Sequence, residues 1–79
     1  MEHAHIIYGV PGMDERGGQE LKERLEKRPG VHRVTVWLGE QQIDIDYQPA
    51  EASRRSLEEA IRRVGYMPSI IPFHERWPG

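Results

Sequence analysis

The chain has 79 residues, no cysteine, and 11 basic against 13 acidic side chains, for a formal net charge of -2. That describes one small domain near the lower size at which a single hydrophobic core supports a fold, with no disulfide to staple it. The balanced charge argues against a module that grips phosphates, no run of about 18 apolar residues offers a membrane span, and the start MEHAHIIYGV lacks the order of a secretory signal. The expectation is a single domain over 1–79, with its core at about 4–72 and a tail over 73–79, in the cytoplasm and not inserted in a membrane.

From Ala4 to Val10, Ala4, Ile6, Tyr8 and Val10 alternate with His3, His5, Ile7 and Gly9, the two-residue period of a strand with unlike faces. Pro11 and Gly12 end it. From about Glu15 the period lengthens: Leu21 and Leu25 stand four apart among charged residues, which predicts a short amphipathic helix with a thin apolar stripe. Gly17 and Gly18 weaken its first turn. Pro29 and Gly30 stop it.

A second strand follows in VHRVTVWLG, with Val34, Val36 and Leu38 on one face and Arg33, Thr35 and Trp37 on the other. Gly39 to Gln41 makes a tight reversal into a third strand, where Ile43, Ile45 and Tyr47 alternate with Gln42, Asp44 and Asp46. Pro49 ends that strand. A second helix runs from about Ser53, a ready N-cap, through Leu57, Ile61 and Val64 to a stop at Gly65. YMPSIIPF reads as a short fourth strand at a sheet edge, where proline does no harm. Phe73 or Trp77 would tack down the tail.

The order strand, helix, strand, strand, helix, strand, with right-handed crossovers, predicts an α+β ferredoxin-like βαββαβ sandwich. Its four-stranded antiparallel sheet has the order 4-1-3-2, with both helices on one face.

VPGM at Val10 to Met13, PGVHRVTVWL at Pro29 to Leu38, IDIDYQPA at Ile43 to Ala50 and LEEAIRRVGY at Leu57 to Tyr66 together resemble the heavy-metal-associated domain family. That family comprises small copper, zinc, cadmium or mercury carriers, the metallochaperones, and the N-terminal modules of metal-transporting P-type ATPases. The likeness runs from about Ile6 to Ile71. It implies the same ferredoxin-like fold, a role in metal transport or homeostasis, and a metal ion or a metal-transporting ATPase as partner.

The departure lies in the first loop. In the family, Gly-Met is followed by one residue and then Cys-x-x-Cys, two soft thiolates that hold the metal. Counted forward from Gly12 and Met13, those positions fall on Glu15 and Gly18. Counted back from Leu21, Leu25 and Pro29, they fall on Asp14 and Gly17. Either way the second ligand is a glycine, and a lone carboxylate cannot replace two thiolates for copper(I) or mercury. Met13 reads as a residue packed beneath the loop, and Asp14 and Glu15 as helix-capping acids.

Nitrogen and oxygen ligands are available elsewhere. His3 and His5 lie two apart, on the face of the first strand that points away from the helices. In a 4-1-3-2 sheet, Asp44 and Asp46 come beside them on the third strand, and His74 reaches the same edge. Two imidazoles with one or two carboxylates would suit a divalent transition ion, zinc, cobalt, nickel or copper(II). A polar face on a solvated sheet accounts for the same residues without a ligand.

His32 reads as solvated. Tyr66 matches a family position beside the metal loop and equally reads as a core tyrosine with a wet hydroxyl. Trp37, Ile7 and Ile71 offer an apolar patch on the open face for a protein partner or a homodimer. Ser53, Ser56 and Ser69 have no base and acid partners, no phosphate loop is present, and no enzyme is expected. An RNA-binding role would need aromatics on the central strands, where Asp44 and Asp46 would repel phosphate, so no nucleic-acid partner is expected. Two readings stand: a metal-binding module using His3, His5, Asp44 and Asp46, or a degenerate domain that keeps the fold for protein–protein interaction.

Overall fold

A computed structural model describes residues 3–71. The order is β1 (Ala4–Gly9), α1 (Glu15–Glu26), β2 (Val31–Trp37), β3 (Gln42–Tyr47), α2 (Arg54–Val64) and β4 (Ser69–Ile70). One sheet runs β2-β3-β1-β4 with every neighbouring pair antiparallel, which is the expected ferredoxin-like topology. His74, Phe73 and Trp77, expected near the end of the fourth strand or in the tail, lie outside the described residues.

Strand alternation places the core. Ile6 and Tyr8 of β1, Ile43, Ile45 and Tyr47 of β3, and Val34 of β2 are buried, and they pack with Leu21 and Leu25 of α1 and Leu57, Ala60 and Ile61 of α2. Each fully buried aliphatic side chain contributes on the order of 1.5–3 kcal/mol, so this one layer carries a chain with no staple. Both helices end as their sequences dictate. Ser53 caps α2, its hydroxyl accepting from the Ser56 N–H at 3.1 Å. Gly65, at φ +116°, adopts the left-handed C-terminal conformation that a side chain would resist. α1 stops at Glu26, two residues before the Arg28–Pro29 bond.

Two edges depart from the expected pattern. β4 is only two residues long, because Pro68 lacks an N–H for the ladder, although the Ile71 N–H still donates to the Ile7 carbonyl at 2.9 Å. β2 stops at Trp37, so Leu38 opens the turn and is 38% exposed instead of extending the inward row of Val34 and Val36. None of the helices among the described residues is long and apolar enough to cross a membrane.

One polar contact pins the sheet to α2. The Tyr8 ring is buried, and its hydroxyl donates to Glu58 Oε2 at 2.9 Å. Burial first, and then the hydrogen bond to Glu58, push the Tyr8 pKa well above the ordinary value for tyrosine. Because the folded chain holds the proton more tightly than the unfolded chain, this contribution is complete below the unfolded tyrosine pKa of about 10. It is lost as the pH climbs from there toward the raised folded value. Tyr8→Phe is expected to lower stability by about 1.5–3 kcal/mol at neutral pH, with the difference from the parent shrinking in alkali. Urea unfolding of both proteins at neutral and alkaline pH checks this, and a pH-independent difference would refute it.

Candidate functional site

The loop between β1 and α1 is closed by its own residues. Asp14 is the N-cap of α1, and its carboxylate accepts from the Gly17 N–H at 2.7 Å, while Glu15 adds a second acid to the positive end of the helix. Met13 is 3% exposed and belongs to the core. Gly17 and Gly18 are buried rather than merely weak helix formers. A Cβ at Gly17 would overlap the Tyr66 hydroxyl, and one at Gly18 would lie 2.9 Å from Val36 Cγ1. Tyr66 and Val36 therefore occupy the space that a side chain at either second-ligand position would need.

Gln41, in the tight turn between β2 and β3, holds this loop from the other side. Its backbone is left-handed, at φ 57°, an uncommon conformation for a side chain of this kind. Its carbonyl accepts from the Val10 N–H at 2.8 Å. Its side-chain amide accepts from the Gly12 N–H at 2.7 Å and donates to the Met13 carbonyl at 2.6 Å. The β2–β3 turn is thus tied to the β1–α1 loop by three hydrogen bonds from one residue. The signal available in the sequence was a glutamine in a tight turn, where glycine or asparagine is the usual choice.

With no thiolate present, Asp14 engaged as a cap and both glycines packed against side chains, the loop does not fit a soft metal ion. The open face of the sheet has different chemistry. In the ladder, His5 pairs with Asp46 and Ile7 with Asp44, so His5 and both aspartates share one face. The His5 imidazole Nε2 contacts the Asp44 carboxylate and lies 3.9 Å from Asp46 Oδ1. On the far side of β3, Arg33 stands opposite Asp46 and Thr35 opposite Asp44.

His3 takes another partner. Its ring stacks on His32, with centroids 4.5 Å apart and planes 20° apart. Of the residues expected to meet, His5, Asp44 and Asp46 therefore come together, whereas His3 joins His32, for which only a solvated position is expected. Among the described residues, no group of three or more His, Cys, Asp or Glu side chains is arranged to hold a metal ion. Trp37, 49% exposed, lies in the same cross-strand row as Gln42 and Gly9, and the Ile71 side chain would touch a Cβ at Gly9 at 3.3 Å. The apolar residues thus cluster at the end of the open face away from the histidines.

No protein-family model matches the sequence, and no curated protein matches it. Solved structures do. Oxidized MerP from Ralstonia metallidurans CH34 superimposes with a TM-score of 0.84 at 25% identity, over 90% of this chain and 100% of that one. The N-terminal domain of a potential copper-translocating P-type ATPase from Bacillus subtilis, in its Cu(I)-loaded state, gives 0.83 at 26% identity, over 87% of this chain and 88% of that one. The CopZ metallochaperone shares the fold, with a TM-score of 0.77 at 22% identity, over 86% of this chain and all of that one.

The packing of Gly17 under Tyr66 can be tested with a double-mutant cycle. Replacing a helical glycine with alanine ordinarily gains about 0.8–1 kcal/mol. In the parent, Gly17→Ala is expected to gain little or to destabilise, because the new methyl must displace the Tyr66 ring. In a Tyr66→Ala background it should recover a gain of about 0.5–1 kcal/mol. Equal gains in the two backgrounds, read from denaturant midpoints, would refute the contact.

Proposed function

From the heavy-metal-associated fold carried here without its cysteines, we propose a binding module of metal transport or homeostasis, not an enzyme, that acts in the cytoplasm on a divalent transition ion. Zinc, cobalt, nickel and copper(II) are the class that imidazole and carboxylate ligands select. The observation that carries the reading is His5 set between Asp44 and Asp46 on the open sheet face. An ion would take the place of the direct His5–Asp44 contact, drawing Asp46 in as a third ligand, while His3 stays turned to His32. Oxygen and nitrogen donors at this face would replace the sulfur donors that the closed loop no longer supports. The likeness to the N-terminal domain of a potential copper-translocating ATPase makes a metal-transporting ATPase the natural partner.

A second reading is favoured by the loop. Tyr66 packed over Gly17, and Gln41 clamping the turn, make this end of the molecule a rigid surface, and Trp37 with Ile71 adds apolar area nearby. In that reading the fold serves a protein partner or a second copy, and no metal is bound.

Thermal melts of the metal-free chain with and without zinc, nickel, cobalt and copper(II) separate the two. A ligand that binds only the folded state at 100 times its dissociation constant adds about 2.7 kcal/mol, which in a chain of this size raises the midpoint by several degrees. The expected outcome is a rise with at least one ion that is lost in His5→Ala and in the Asp44→Asn, Asp46→Asn double variant. No rise with any ion, together with a size that grows with protein concentration, would establish the interaction module instead.

A further inference from the structure

The open face holds one pair of imidazoles that the His5, Asp44 and Asp46 set does not use, and the backbone is altered to create it. Between Val31↔Tyr47 and Arg33↔Asp46 the β2–β3 ladder shifts register, so that β2 spends one residue more than β3. Strict alternation counted back from buried Val34 would turn Arg33 outward, His32 toward the helices and Val31 outward. Instead Val31 packs against the core while His32 and Arg33 are both exposed. The bulge therefore delivers His32 to the open face, the kind of re-aiming for which bulges are used beside functional sites.

There His32 meets His3, the residue that leads into β1 on the other side of β3. The two exposed rings lie with centroids 4.5 Å apart. Rotation about their side-chain bonds is unhindered by burial, and it can swing one nitrogen of each ring to within about 2 Å of a shared ion.

We propose that His3 and His32 form a two-imidazole site for a borderline divalent ion, copper(II) or nickel(II), distinct from the site at His5, Asp44 and Asp46. Neutral imidazole is the side chain best suited to these ions, and copper(II) stands highest in the affinity order of first-row divalent metals for nitrogen donors. Solvent completes the coordination sphere. The site shares with the proposed function only the class of cargo, and none of its protein ligands coincides with the His5, Asp44 and Asp46 set.

The test is a copper(II) titration of the full chain followed by electron paramagnetic resonance, with affinity measured by competition against a chelator. The expected result is a signal with two imidazole nitrogens on the ion. The dissociation constant of that two-imidazole signal should rise more than about tenfold in His32→Ala and in His3→Ala, and stay within about twofold in Glu59→Gln, an exposed position on α2. Both histidines are exposed, so melts of the metal-free variants should match the parent. A copper signal that survives His32→Ala unchanged, whatever its dependence on His3, overturns the proposal. Loss in His5→Ala without loss in His32→Ala overturns it while leaving the proposed function standing. Loss in His32→Ala and in His3→Ala with the signal kept in His5→Ala sustains it, and the zinc and cobalt melts of the His5 variants then decide the His5 set separately. A chain that binds neither copper(II) nor nickel(II) overturns it as well.

Discussion

Everything in this chain depends on the register of β1 against β3. Ile6 opposite Ile45 and Tyr8 opposite Ile43 put four large side chains on one face of the central pair. The two-residue period then sends His5, Asp44 and Asp46 to the other face with no freedom to choose. A slip of β3 by one residue would bury two carboxylates and expose Ile43 and Ile45, at a cost no domain of this size could meet. The chemistry of the open face is thus a by-product of the core's registry, held by the same hydrogen-bonded ladder that holds the fold.

The second constraint is the end of the sheet where β1 enters α1. In a chain with thiolates, that loop must leave room for two sulfurs and an ion. Here the room is used: Tyr66 lies over Gly17, Val36 over Gly18, Met13 fills the space beneath, and Gln41 ties the loop to the neighbouring turn. The glycines look like lost ligands in the sequence and act as packing surfaces in the fold. Their missing side chains let a tyrosine and a valine approach the first turn of α1 closely, and the helix gains burial there in exchange for the propensity it gives up. The loop has become part of the hydrophobic structure, so any metal chemistry of this chain has to be sought elsewhere on the molecule.

The third is the irregularity in β2. One extra residue reverses the facing of His32 and Val31, which gives the core a valine and the open face an imidazole. The resulting open face has two ends of different character. Histidines and aspartates gather where β1 begins, and Trp37 and Ile71 gather where it leaves for α1.

Much of this was legible in the residues. The period of two in Ala4 to Val10 and Gln42 to Tyr47, the spacing of Leu21 with Leu25 and of Leu57 with Ile61, and the caps at Ser53 and Gly65 are local signals, and local physics suffices to read them. So does the meeting of His5 with Asp44 and Asp46, because topology and parity together leave one outcome. What only the tertiary structure decided are the contacts made by exceptions to those periods. The bulge that turns His32 outward leaves no mark in composition, since it arises where two strands compete for the same ladder. The pairing of His3 with His32 reaches across an intervening strand, and Gln41 clamps a loop nearly thirty residues before it, so neither follows from neighbours in sequence. Whether Gly17 was an empty ligand position or a packed one depended on where Tyr66 came to rest, and that was set by the docking of α2 on the sheet, through side chains far apart along the chain.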